Sequence, residues 1–164
     1  MAEIEYDALI RKIRQLPVRL GNNAGRRALR KGANVIRDQA RNNAKRVDDP
    51  ESANSIWKNI TVSGGGRRRE RQRGGPMMRV GIRGGARNMS KYGEFRGKGK
   101  GNPGGDTWYW RLIEFGFVHW KTGRHIPPRP FMQSAMKTKA SAALAAVVAD
   151  LPKQMDREMK KLGK

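Results

Sequence analysis

Glu114, His119 and His125 are the side chains best suited to acid–base or metal chemistry, and they fall within a stretch of twelve residues. His119 and His125 are the only histidines in the chain. Six residues apart, they do not share a helix face, and Pro127-Pro128 opposes a helix there. A metal centre would need more carboxylates nearby, and Glu114 alone lies close in sequence. The pair is therefore expected to be loop or interface histidines. Glu114 sits in an apolar run, where a structural partner such as Arg111 or Arg129 is expected. A hydrolase using Glu114 and His119 is the enzymatic alternative. The chain has no cysteine, which excludes disulfides, thiolate zinc sites and cysteine nucleophiles. No catalytic residue, no metal site and no cofactor is expected.

A second chemistry is phosphate contact. Gly97-Lys98-Gly99-Lys100-Gly101 resembles a phosphate-binding loop only superficially. It lacks the following Ser/Thr and the strand-to-helix context that such a loop requires. More telling are two basic, glycine-rich stretches. The first, residues 64–75, carries Arg67, Arg68, Arg69, Arg71 and Arg73; the second, residues 84–105, carries Arg87, Lys91, Arg96, Lys98 and Lys100. Arg and Lys neutralise backbone phosphates without reading bases. Only Tyr92 and Phe95 are available for stacking, so sequence-blind contact with duplex DNA is favoured over single-strand binding. A tether folding against acidic neighbouring subunits is the alternative.

The whole composition points the same way. Lys+Arg is 36 against Asp+Glu 14, a net charge of +22 in 164 residues. Such a charge calls for a polyanionic partner or for acidic protein surfaces. Hydrophobic residues make up 37%, so the core must be small. No apolar run approaches the ~20 residues of a membrane span. The first residues, Met1 to Tyr6, show no signal-peptide pattern.

The elements that must position these residues follow from periodicity. Residues 3–46 read as helix, broken near Pro17. After the break the pattern resumes with Leu20, Ala24, Ala28, Leu29, Gly32, Ala33, Val35, Ile36, Ala40 and Ala44, an apolar stripe of small residues that permit close approach of a sheet or helix. Asp48 to Ser52 is a turn. Ser55–Val62 and Met77–Ile82 alternate as strands, making a hairpin around a basic loop expected to be mobile. Thr107–Val118 reads as a third strand, rich in aromatics, and Lys121–Pro128 as an extended connector. From Phe131 a helix is expected, interrupted at Asp150-Leu151-Pro152 and followed by a short amphipathic segment. One α+β domain over 1–164 results: a long N-terminal helix and a C-terminal helix on an antiparallel sheet with long basic glycine-rich loops. Trp108, Tyr109, Trp110, Glu114, Phe115, Arg129 and Phe131 are the candidate core and subunit-interface residues. Both faces of the aromatic strand are bulky, so a second subunit is expected to cover one.

Two motifs carry a family resemblance. Tyr109-Trp110-Arg111-Leu112-Ile113-Glu114-Phe115-Gly116 and Pro128-Arg129-Pro130-Phe131-Met132-Gln133-Ser134-Ala135 resemble the neck or tail-completion proteins of long-tailed bacteriophages, which include minor tail proteins of the lambda Z type. The chain departs from the family's Pro-x-x-Thr-Gly-x-Leu turn at Val47–Ser55. The resemblance implies a non-enzymatic virion component, assembled in the host cytoplasm as a ring at the head–tail junction, often a hexamer. It implies neighbouring head-closure or connector proteins, tail-terminator or tail-tube proteins, and double-stranded DNA passing through the channel. An independent, non-specific DNA-binding protein is the alternative.

Overall fold

The computed structural model describes residues 18–48, 50–83 and 103–162. In chain order they form α1 (Val18–Ala44), α2 (Ile56–Asn59), β1 (Ile60–Gly64), α3 (Arg67–Gln72), β2 (Met78–Ile82), α4 (Trp110–Phe115), β3 (Phe117–Val118), β4 (His125–Ile126) and α5 (Met132–Leu162). The class is α+β, two long helices with two small sheets. β1 pairs with β2, and β3 pairs with β4. Gly65 N–H donates to Met77 O and Arg83 N–H to Asn59 O at opposite ends of the first pair, so it runs antiparallel. In the second, Phe117 faces Ile126 and Val118 faces His125. The expected helix over residues 3–16 and its break at Pro17 lie outside the described residues, as do residues 84–102.

The chain groups into two compact units. One holds the described residues of Met1–Val35, Val62–Arg79 and Ser141–Lys164; the other holds those of Ile36–Thr61 and Val80–Ala140.

In the first unit, the small-residue stripe of α1 serves a helix rather than a sheet. Ala24 and Ala28 are fully buried, and Leu20, Leu151 and Met159 pack around Ala24 and Met155. A Cβ on Gly32 would lie 2.6 Å from the Ala143 carbonyl oxygen and from Val147 Cγ2, so only glycine admits this approach of α5. Arg27 donates to the buried Glu158 carboxylate, which also accepts from Lys161 Nζ at 2.9 Å. These contacts explain a departure from expectation. α5 continues through Pro152 instead of ending there. An interior proline costs about 3 kcal/mol. Met155, beyond the proline, is buried with Ala24, and Leu151 and Met159 on either side of Pro152 pack against that pair; burying a large apolar side chain contributes ~1.5–3 kcal/mol.

In the second unit, Ala40, Ala44, Ile56, Ile60, Phe131 and Ala135 are buried together, with Tyr109, Trp110, Ile113, Val80 and Ile82 against them. Two strands expected here are helical at their key positions. Ser55–Val62 begins as the turn α2, because the Asp48 carboxylate accepts the Ile56 and Trp57 amides at 3.1 and 3.3 Å and caps it. Ile56 and Ile60, one turn apart, are both buried, a spacing that alternation shares. Thr107–Val118 is mostly α4, with only Phe117 and Val118 in a strand. Gly116 ends α4 with φ 73°. A Cβ there would meet Ile126 O at 2.7 Å and Pro128 N at 2.9 Å, which leaves no other residue the position.

Candidate functional site

Two surfaces collect the residues singled out above. The first is built on α3, inside the stretch expected to be a loop. Arg67, Arg68, Arg69, Arg71 and Arg73 are all exposed, and Glu70 alone turns inward. Its carboxylate accepts Arg26 Nη2 and, at 3.3 Å, Arg26 Nε. The hydrogen bond from Arg26 holds the Glu70 carboxyl below its ordinary range. One acid thus fastens a five-arginine surface to α1. The cluster makes this face electropositive, and arginines can neutralise phosphates without reading bases. Arg87, Lys91, Arg96, Lys98 and Lys100 lie outside the described residues.

The second surface surrounds α4 and the β3–β4 hairpin. Tyr109, Trp110 and Ile113 are half-buried on the core, Phe131 is buried, and Trp108 is exposed, its ring edge-on to Tyr109 at 6.1 Å. Helical rather than alternating geometry sorts them: positions 109, 110, 113 and 114 face in, and 111 and 115 face out. Phe115 is 72% exposed, and Val118 and Trp120 follow at 61% and 83%. Arg111, Lys121, Arg124 and Arg129 are exposed in the same stretch. Arg111 and Lys121 lie over the Trp110 and Trp120 rings at 5.3 and 5.0 Å.

Glu114 is the buried charge of this surface. It is not paired with Arg111 or Arg129 as expected. Oε2 accepts the amides of Phe131 and Met132 at 2.8 and 2.9 Å, and Oε1 accepts that of Gln133 at 2.8 Å. These are the amides that the first turn of a helix leaves without partners. The Glu114 carboxylate therefore caps α5 and complements its dipole. Arg129 contributes its backbone instead, its amide donating to Ile113 O at 2.7 Å.

His119 and His125 do not converge on Glu114. His119 Nδ1 meets Thr122 Oγ1 at 3.0 Å within the hairpin turn, and His125 is exposed on β4. Among the described residues, no group of three His, Cys, Asp or Glu side chains is placed to hold a metal. No described helix is long and apolar enough to cross a membrane.

Several polar residues that sequence reasoning passed over hold this region. Asn59, fully buried, donates to Gly105 O and Thr107 Oγ1 and accepts from the Gly104 amide, all at 2.8–2.9 Å. Arg41 donates Nε and Nη2 to Ile60 O at 3.0 and 2.7 Å. Arg26, Arg27 and Arg41 each have a partner distant in sequence: Glu70, Glu158 and the Ile60 carbonyl.

Comparison with known families bears on these surfaces. Residues 7–116 match the family described as "Bacteriophage HK97-gp10, putative tail-component". The match spans most of the chain and ends at Gly116, so the Pro128–Ala135 motif lies beyond it. No curated protein and no solved structure matches the chain. The chain belongs to the HK97-gp10-like family of phage tail components.

Proposed function

We propose that this phage tail component is a non-enzymatic structural protein forming a ring, most simply a hexamer, at the head–tail junction. In this reading it completes the tail, as neck and lambda Z-type proteins do, and joins it to the DNA-filled head. Its neighbours are a connector or head-closure protein on one side and a tail-terminator or tail-tube protein on the other. The observation that carries the reading is the exposure of Phe115, Val118 and Trp120 within six residues of a very polar chain. Large apolar side chains grouped in this way mark a surface that another protein covers. The cations beside them, Arg111, Lys121, Arg124 and Arg129, favour a neighbour with an acidic rim.

The α3 arginines supply the contact with DNA in transit. Arginine contacts with phosphate oxygens are indifferent to base sequence, so they suit any duplex. Electron microscopy of particles made without the protein tests the reading: unjoined heads and tails are expected. Normally joined, infectious particles lacking the protein would refute it.

A second reading, an independent DNA-binding protein, draws on the same α3 cluster. It requires tight duplex binding by the free monomer. Charge reversal at Arg67, Arg68 and Arg69 would then abolish binding while leaving head–tail joining intact.

A further inference from the structure

The exposed side of α5 carries a feature that the two surfaces above do not use. From Ala140 to Ala149 the sequence reads Ala-Ser-Ala-Ala-Leu-Ala-Ala-Val-Val-Ala, ten residues without a charge. It is the longest uncharged run in a chain whose residues are 30% charged. One side of the run is spoken for: Ala143 is buried and Val147 half-buried, next to Gly32 of α1. The other side is open. Leu144 is 65% exposed and Val148, one turn on, 41%, with Ser141, Ala145 and Ala149 exposed between and around them.

A chain of net charge +22 repels its own copies. Two copies can meet closely only where neither brings a cation into the contact, since a buried unpaired charge is costly. The Phe115–Trp120 surface fails that condition, because four basic side chains accompany it. The α3 surface fails it outright. The α5 face meets it between Ala140 and Ala149, with the exposed Lys137 and Lys153 lying beyond the two ends of the run, and its alanines let a neighbouring element approach closely while Leu144 and Val148 supply the apolar anchors.

We propose that the exposed α5 face around Leu144, Ala145 and Val148 is the contact between copies of this chain. The proposal rests on the ring reading above and names the subunit surface within it. The full-length protein and a Leu144→Lys/Val148→Lys variant are compared by sedimentation velocity at about 150 mM salt, with circular dichroism as the folding control. The wild type is expected to be oligomeric and the variant monomeric, with self-association at least ~100-fold weaker. Both positions face solvent, so the helix is expected to remain folded. A variant as oligomeric as the wild type overturns the α5 contact and leaves the ring reading intact. A wild type that stays monomeric at every concentration sinks the ring reading itself.

Should the lysine variant fail to fold, Ala145→Cys gives a second measurement, free of interference because the chain has no cysteine. The thiol is expected to label with maleimide about tenfold more slowly in the oligomer than in diluted monomer. Equal labelling rates overturn the proposal.

Discussion

Replacing Glu114 tests whether the two C-terminal motifs form one structural device. Its carboxylate accepts three amides of the first turn of α5 at 2.8–2.9 Å. In Glu114→Ala all three lose their acceptor. The Gln133 side is exposed and the Met132 side half-open, so water can replace the carboxylate there. Phe131 is buried, and its amide has no such substitute. An unsatisfied buried donor costs ~1–3 kcal/mol, and loss of a helix cap about 1 kcal/mol more. Removing the anion from the helix N-terminus adds up to ~2 kcal/mol in a partly buried site. These contributions overlap, and the expected loss is about 3–5 kcal/mol. That is a large share of a total stability of ~5–15 kcal/mol. With a urea dependence near ~2 kcal/mol/M, the unfolding midpoint falls by about 2 M at fixed protein concentration. Glu114→Gln keeps one acceptor oxygen but turns its amide N–H groups toward other donors, so it falls between wild type and alanine. Midpoints within about 0.3 M of wild type for the alanine variant would refute the capping role.

Other positions give sharp outcomes. Gly32→Ala gains about 1 kcal/mol of helix propensity. It also places a Cβ 2.6 Å from the Ala143 carbonyl, and overpacking of this kind costs ~1–3 kcal/mol, so net destabilisation is expected. A higher melting temperature for Gly32→Ala would show that α1 and α5 are not closely apposed. Asn59→Ala strands the buried Gly104 amide and Gly105 carbonyl, and calorimetry is expected to show a loss of about 2–4 kcal/mol. Acid is expected to loosen the first unit. Glu158 is held below its ordinary value of 4.5 chiefly by the Lys161 hydrogen bond, against the opposing effect of burial and with further help from Arg27. The Arg26 hydrogen bond lowers Glu70 in the same way. Both folded values lie below the unfolded ones, so their stabilisation is complete above about pH 4.5 and is lost as pH falls through the folded values. Asp48, raised above its ordinary 3.8 by burial, works in the opposite sense: its contribution is lost as pH rises through the folded value. A Glu158→Gln variant whose stability falls as steeply below pH 4.5 as wild type contradicts the assignment.

The long helices and the β1–β2 hairpin were legible because their signals are local. The small-residue stripe of α1 even announced a close neighbour, although not which one. What failed was the reading of aromatic runs as strand. Trp108 to Phe115 has high β propensity, yet the inward positions 109, 110, 113 and 114 follow a helical turn. Tertiary packing against Phe131 and Ile60 decides the outcome there. Ser55–Val62 failed for a related reason: its cap is Asp48, seven residues before Ser55, and no window of the sequence shows that hydrogen bond. Pro152 misled because its local penalty is real, while the packing that offsets it comes from α1. For the candidate surfaces, the arginines of α3 were visible as charge. Glu70 in their midst looked like one more loop residue, because Arg26 is forty-four positions away.

The buried carboxylates show how so cationic a chain folds at all. Among the described residues these are Glu70, Glu114 and Glu158. Each joins elements far apart in sequence: Glu70 meets Arg26, Glu158 meets Arg27, and Glu114 meets the start of α5. An acid spent in this way is withdrawn from the surface, which is left more positive than an even mixture of charges would make it. Folding and partner choice are therefore coupled. The few anions hold the elements together, and the five exposed arginines of α3 are left outside. On the α5 contact proposed above, copies of the chain associate where the surface carries no charge. Neutralising α3 arginines should then relax that restriction, so that Arg67→Gln/Arg68→Gln/Arg69→Gln self-associates at lower salt than wild type. An unchanged salt dependence would show that the charge of α3 plays no part in assembly.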